Sequence, residues 1–323
     1  MKQVVVAGAG AIGLAVALAL AKEGAAVTVR DPAPLGDNAS GVAAGMLAPA
    51  FEAALDPISA GHFELLKAAR DLWPALAGQA GIALDRSGAV YRGRDAAGVA
   101  SRLRAAKADH TAHPGEVFTP EDWRLSPRLA LRALWAAAER AGVRFEAAEA
   151  EPAPGAVLVL ATGAGGQGLA PEIGLLQPVK GHILRYHGGP AGGAVVRGDG
   201  VYVCPDPEGA VVGATMEAGQ AGRAVDPAKV GYLARAAEAL FPELAGLPAR
   251  AETGVRAATP DGLPLVGWSG RADVLLAVGA RRNGWLLAPL VARMAAAYLR
   301  GEDPGPFAAL LDAQRFSRGV PHP

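Results

Sequence analysis

Val4-Val5-Val6-Ala7-Gly8-Ala9-Gly10-Ala11-Ile12-Gly13 is the stretch that decides how this chain folds. Three β-branched residues make a short buried strand, and Ala11–Lys22 is rich in good helix formers closed by Gly24. Val27-Thr28-Val29 follows as a second strand ending at Asp31. The order strand, helix, strand predicts a β-α-β unit with parallel strands and a right-handed connection. Gly8, Gly10 and Gly13 match G-x-G-x-x-G inside it. The first glycine permits a tight turn, the second lets backbone approach a pyrophosphate, and the third lets helix and strand pack. The helix N-terminus offers free N–H groups and partial positive charge to phosphates. Asp31 stands at nearly the expected spacing of about 20 residues, where a carboxylate accepts from an adenosine ribose. The unit predicts a dinucleotide site but does not separate FAD from NAD. The competing reading is a glycine-rich turn in an ordinary α/β protein.

Working outward, 323 residues suit one large fold or two interleaved domains. Hydrophobic residues make up 51% and aromatics only 5%, so the core must be built from Ala, Val and Leu. Lys plus Arg equals Asp plus Glu at 31 each, so no global charge steers the chain to nucleic acid or a membrane surface. Residues 4–21 are uncharged and could be read as a signal peptide or membrane span, but the glycine spacing and the β-rich run after them argue against it. The single cysteine, Cys204, excludes an internal disulfide, fits a reducing cytoplasm and reads as a buried strand residue. Of His62, His110, His113, His182, His187 and His322, only His110 and His113 sit close together, beside Asp109. They read as an exposed polar turn, because no third and fourth ligand appears nearby, and no metal is expected. Neither a G-x-S-x-G elbow nor a Gly-Lys-Ser phosphate loop is present.

Further along, residues 32–50 read as a small-residue loop and residues 62–80 as helix. Ser126-Pro127 predicts a helix start with a capping hydroxyl; Leu131, Leu134, Trp135 and Ala138 then line one face. Val157-Leu158-Val159-Leu160 is a buried strand, and residues 177–216 are strand-rich. Asp226-Pro227 opens another helix, Leu275-Leu276-Ala277-Val278 is a last buried strand, and a helix follows over residues 285–299.

Four more segments make the reading specific. They are Ala39-Ser40-Gly41-Val42-Ala43-Ala44-Gly45-Met46-Leu47; Leu176-Gln177-Pro178-Val179-Lys180-Gly181; Val201-Tyr202-Val203-Cys204-Pro205 with Val212-Gly213-Ala214-Thr215-Met216; and Gly254-Val255-Arg256 with Thr259-Pro260-Asp261-Gly262-Leu263-Pro264 and Gly279-Ala280-Arg281-Arg282-Asn283-Gly284. In this order, over nearly the whole chain, they resemble the FAD-dependent D-amino-acid-oxidase superfamily, most of all its glycine oxidase branch. The resemblance implies an α/β (α+β) fold. A Rossmann-like FAD-binding domain of residues 1–80, 125–170 and 255–323 would interleave with an antiparallel-sheet substrate domain of residues 81–124 and 171–254. It implies FAD as cofactor, with contacts from Gly8, Gly10, Ala11, Ile12, Gly13, Asp31, Pro32, Ala39, Ser40, Ala44, Gly45, Met46, Thr162, Gly163, Arg282, Asn283, Gly284, Trp285 and Leu286. The helix after residues 279–284 would aim its N-terminus at the flavin's pyrimidine edge, with Asn283 as cap.

On the substrate side the resemblance assigns Arg256 and Tyr202 to an amino-acid carboxylate, Arg282 to a place near substrate and flavin, and Met46 and Met216 to apolar walls. Residue by residue the plainer readings are a packing tyrosine, a solvated Arg281-Arg282 pair and core methionines. Arg256, inside an apolar run, is costly to bury unpaired. The implied reaction is FAD-dependent oxidative deamination of glycine, sarcosine or a small D-amino acid. Oxygen is the acceptor, and the products are an oxo acid, ammonia and hydrogen peroxide. The branch also implies thiazole synthesis for thiamine. The alternatives are a related dehydrogenase with another electron acceptor, a degenerate FAD-binding subunit, and an NAD-dependent enzyme. Neither a nucleic-acid nor a membrane partner is expected, and a homo-oligomer is left open. The chain departs from its relatives in a compressed stretch over residues 92–127, in a short link at residues 146–155, in Ala280 for a histidine and in Arg281 for an aromatic. These departures predict a more open or more polar pocket.

Overall fold

The computed structural model of this protein describes residues 3–190 and 192–317; His322 lies outside them. The Gln3–Ala7 strand pairs in parallel with Val27–Arg30 on one side and Ala156–Leu160 on the other. It sits inside a six-stranded sheet ordered Leu265–Trp268, Val274–Val278, Ala156–Leu160, Gln3–Ala7, Val27–Arg30, Arg144–Glu146. Only the outer Leu265–Trp268 strand runs antiparallel to its neighbour. Val274–Val278 and Ala156–Leu160 are buried at every position, which is why they read as unbroken apolar runs.

Residues 4–21 fold as strand and helix, and no described helix is long and apolar enough to cross a membrane. The Ala11–Lys22 helix packs against Gly284–Arg300. The aromatic-poor composition is at work here: Ala15, Ala17, Ala288, Ala292, Ala295 and Ala296 are all buried, and such small side chains let helix backbones approach. Pro289 lies inside the Gly284–Arg300 helix and has no N–H to give the Trp285 carbonyl four residues back. The Trp73 indole N–H donates to that carbonyl instead, at 3.1 Å.

The second sheet has nine strands. Its spatial order is Glu217–Ala218, Gln177–His187, Gly209–Gly213, Tyr202–Asp206, Val195–Arg197, Ala89–Arg92, Glu116–Thr119, Thr111–His113, and Ala249–Ala258 also pairs along Gln177–His187. Every pairing is antiparallel except Val195–Arg197 with Ala89–Arg92. That parallel join links strands far apart in the chain, which no tight hairpin can do.

Several local expectations are corrected. Residues 62–80 form two helices, Phe63–Asp71 and Trp73–Ala80, because Pro74 fits a first turn and not the middle of a continuous helix. Residues 32–50 hold a short helix, Ala39–Val42, and a strand, Met46–Leu47, and end inside a further helix, Pro49–Leu55. The first N–H groups of that helix, from Ala50 and Phe51, reach the two Asp122 carboxylate oxygens at 2.8 and 3.2 Å. Ser126 precedes the Pro127–Arg140 helix as expected, but its hydroxyl makes no capping bond. Asp226 does cap Pro227–Leu240, accepting from Ala228 N–H at 2.8 Å. His113 lies on an exposed strand, Thr111–His113, and not in a turn. Cys204 is buried in its strand, and burial pushes its thiol up to about 12.

Candidate active site

The glycine turn between the Gln3–Ala7 strand and the Ala11–Lys22 helix is built too tightly for side chains. Gly8 has φ of 106°, and a Cβ on it would lie 2.5 Å from the Ala161 carbonyl oxygen. A Cβ on Gly13 would lie 1.9 Å from the Gly8 carbonyl oxygen. Both clashes are with backbone, so a side chain at either position must force strand and helix apart. At Gly10 a Cβ would meet only the Ser40 side chain, its hydroxyl at 3.1 Å. Gly10 cannot cap the helix it precedes; Ser40 Oγ accepts from the Ala11 N–H at 3.0 Å in its place. Asp31 accepts from Ala9 N–H at 2.7 Å and from Ala33 N–H at 2.9 Å, one per carboxylate oxygen, which leaves lone pairs for a ribose hydroxyl.

Gly8, Gly10, Ala11, Ile12, Asp31, Ala39, Ser40, Thr162, Gly163 and Gly284 line one groove of about 240 Å³. A helix N-terminus, a floor bare of side chains and a carboxylate along the same groove suit a dinucleotide, so the residues present fit FAD. Pro32, Gly13 and Leu286 do not line the groove; Gly13 lies under the turn and Leu286 is in the core. Asn283 precedes the Gly284–Arg300 helix without a capping bond from its side chain.

Arg256 lines this groove and also a second cavity of about 380 Å³. One wall of that cavity is a row across the second sheet, in which Gly213 is opposite Tyr202, Tyr202 opposite Arg197, and Arg197 opposite Tyr91. Residues directly paired in this way point to the same face. Two glycines make room for the polar side chains. A Cβ on Gly213 would lie 2.4 Å from the Tyr202 phenol oxygen, and one on Gly181 would lie 2.2 Å from Arg256 Nη1. Burial pushes the Tyr202 phenol above its ordinary range, so it stays protonated and able to donate.

Arg256 has weak partners: Nη1 is 3.5 Å from the Thr215 carbonyl and 3.6 Å from Met216 Sδ. Among the described residues no carboxylate forms an ion pair with it. Burial lowers its pKa, but a guanidinium keeps its charge. Met46, Met216, Ala44, Gly45, Asn283, Trp285 and Arg282 line the same cavity. The Trp285 indole N–H donates to the Ser40 carbonyl at 3.0 Å, tying the cavity wall to the loop at the helix N-terminus.

Two charged residues here escaped the sequence reading. Glu52, buried on the Pro49–Leu55 helix, lies between Arg197 Nη1 at 3.0 Å and Arg282 Nε at 2.9 Å. The Glu52 charge raises the Arg282 pKa. Arg281, at φ of 49°, pairs with Asp56. The Arg281-Arg282 pair is therefore held by carboxylates, with both side chains partly buried. Pro49 three residues ahead of an acid was a legible helix start. Arg197 inside Val195-Val196-Arg197 carried the same signal as Arg256, a charge in an apolar strand.

Residues 3–298 match the family model described as FAD dependent oxidoreductase, DAO. The chain is 29% identical to the bifunctional protein ThiO/ThiG of Trichormus variabilis, over 98% of this chain and 55% of that protein. It is 31% identical to the tRNA 5-methylaminomethyl-2-thiouridine biosynthesis bifunctional protein MnmC of Maricaulis maris, over 93% of this chain and 52% of that protein. The chain thus spans about half the length of these two relatives. Its fold superposes on the crystal structure of glycine oxidase from Geobacillus kaustophilus with a TM-score of 0.85 and 25% identity, covering 97% of this chain and 98% of the other. With the glycine turn, the groove and the family match in agreement, this chain belongs to the DAO family of FAD-dependent oxidoreductases.

Proposed function

We propose that this chain oxidises the α-carbon–nitrogen bond of a small amino acid or amine, releasing an imine that hydrolyses to an oxo acid and ammonia. One observation carries the reading: the Arg256 guanidinium, with no carboxylate paired to it among the described residues, shares a cavity with Tyr202 where that cavity meets the nucleotide groove. Arg256 holds the substrate carboxylate through its planar fork, and Tyr202 donates to the same group. Arg282, positioned by Glu52, stands beside them, and Met46 and Met216 supply apolar wall. Bound FAD supplies the two-electron acceptor. The Gly284–Arg300 helix begins where groove and cavity meet, so its N-terminus favours negative charge developing there. The neutral amine needs no side-chain base in this scheme; orientation by Arg256 and Tyr202 is the protein's share. In the same reading the six-stranded sheet belongs to the FAD-binding domain of residues 1–80, 125–170 and 255–323, and the nine-stranded sheet to the substrate domain of residues 81–124 and 171–254, with the Ala249–Ala258 strand running across the boundary between them.

Oxygen as acceptor and hydrogen peroxide as product belong to this proposal, supported by the likeness to a glycine oxidase, as does a role in thiamine thiazole synthesis, supported by the ThiO/ThiG relative. A cytoplasmic setting is supported by the unpaired Cys204. The MnmC relative favours one second reading, a secondary amine carried on a larger molecule.

The test is the visible spectrum of the purified protein, followed by glycine without oxygen. Yellow protein that bleaches on glycine, and forms peroxide once oxygen is admitted, supports the proposal. Bleaching by sarcosine or a D-amino acid alone keeps the class and moves the substrate. Flavin that no amine reduces overturns it.

A further inference from the structure

We infer that Arg223 is a further cofactor-binding residue, one that donates to the diphosphate of FAD from the side of the nine-stranded sheet. The inference is independent of the amine-oxidation reading and uses only the nucleotide groove and its charges. Arg223 lines that groove together with Gly8, Gly10, Ala11 and Ser40. Its backbone is pinned. The Thr253 hydroxyl donates to the Arg223 carbonyl, Lys180 Nζ donates to the Ala224 carbonyl, and His182 Nε2 accepts from the Asp226 N–H at 2.9 Å. Thr253, Lys180 and His182 are buried on the paired strands Ala249–Ala258 and Gln177–His187. The side chain is held far less firmly. Among the described residues its guanidinium bonds through Nη2 alone, to Asp37, and the two side chains are 52% and 49% exposed. An ion pair that open to water contributes little. A phosphate is a stronger partner for the same planar fork.

Position and charge point to the diphosphate. Asp37 lies three residues before Ser40, whose hydroxyl meets the Ala11 N–H at the helix N-terminus. Three residues of chain span at most about 11 Å. Here the Asn38 side chain also folds back to accept from the Ser40 N–H at 3.0 Å. The contact with Asp37 therefore places the guanidinium close to the phosphate end of the groove. Residues 3–21 and 31–48, which supply the glycine turn and the Ser40 loop, contain no Lys or Arg. The helix N-terminus offers roughly half a positive charge, which leaves most of a diphosphate's charge unanswered. Asp31 and Asp37 in the groove add negative charge. Of the other two arginines that line it, Arg281 pairs with Asp56 and Arg256 is shared with the substrate cavity. Arg223 is the cation left to meet the phosphates.

The test is FAD affinity of the full chain, read by flavin fluorescence as release from the diluted holoenzyme and as titration of the stripped protein. Arg223→Gln should weaken FAD by about tenfold or more, the lower end for a hydrogen bond to a charged group. ADP, which carries the diphosphate without the flavin, should lose the same factor as a competitor. Asp37→Asn separates a phosphate ligand from a mere tie between two loops. Freed from Asp37, a phosphate-binding Arg223 holds FAD at least as tightly as in the wild type, whereas loss of a tie loosens FAD in both variants. Unchanged FAD affinity in Arg223→Gln overturns the inference. So does unchanged ADP competition in that variant, or looser FAD in Asp37→Asn. Whether any amine reduces the bound flavin bears only on the amine-oxidation reading.

Discussion

Arg256 shows how much of this site depends on what is absent beside it. A charged side chain with no carboxylate partner is an expensive feature unless a ligand completes it. Arg256→Ala should raise KM or ligand Kd for an amino-acid substrate by about 10- to 100-fold, equivalent to about 1.5–3 kcal/mol. Steady-state kinetics and flavin titration read this directly, and unchanged affinity would remove Arg256 from the site. Gly181 offers a finer test. The three atoms nearest to a Cβ there all belong to the tip of the Arg256 side chain, the first at 2.2 Å, so the clash falls on that side chain first. Gly181→Ala should lose substrate affinity severalfold while its melting temperature stays within the range of an ordinary change of about 1 kcal/mol. Equal loss of both would mean that Gly181 serves packing alone. Arg256 and Tyr202 were legible in the sequence through the motifs around them. The two glycines' service to them was not, because Gly181 and Arg256 lie 75 positions apart and meet only through strand pairing.

At the scale of elements, several starts are completed by partners far away in sequence. Ser40 caps the Ala11–Lys22 helix, Asp122 caps Pro49–Leu55, and Trp73 answers the carbonyl that Pro289 frees. Helix starts at Pro49, Pro127 and Pro227 follow from proline chemistry and are readable. Which side chain satisfies the first N–H groups is not readable, and Ser126 and Asn283 illustrate it by standing at the right position without bonding. The turn after the first strand is the strictest element. In Gly13→Ala the new Cβ would meet the Gly8 carbonyl, so neither neighbour can yield cheaply. FAD per chain after gel filtration should fall at least tenfold, with destabilisation of about 1–3 kcal/mol from overpacking. A fully yellow, wild-type-stable Gly13→Ala protein would contradict the account of the turn.

For the whole molecule, buried charge sets the pH range of stability. Asp122 is fully enclosed, and burial raises its carboxyl to about 7 despite the pull of Arg197 and the Ala50 and Phe51 N–H groups. Its folded pKa lies above its unfolded value of about 3.9, so its contribution is complete below that value and is lost as pH rises to about 7. Glu252, beside Arg128 and Arg185, is shifted the other way: those partners hold its carboxyl below its ordinary value despite burial. Its contribution is present above about 4.3 and is lost as pH falls below it. Thermal unfolding across pH 4–8 should therefore show wild type losing its advantage over Asp122→Asn as pH rises; a constant gap would mean Asp122 titrates normally.

The division between what was readable and what was not follows from range. The sequence by itself determined the glycine turn, its strand–helix–strand unit and the buried strands, and pointed to the FAD-dependent class through the family resemblance of segments spread along the chain. The turn and the strands are each contiguous, and local sterics and hydrogen-bonding needs dictate them residue by residue. Only the tertiary structure decided that Glu52 stands between Arg197 and Arg282, that the Val195–Arg197 strand joins Ala89–Arg92 in parallel, and that Gly181 and Gly213 open space for Arg256 and Tyr202. These juxtapositions join residues from 11 to 230 positions apart. Sheet register and the burial of opposite charges select them, and neither leaves a local mark in the chain.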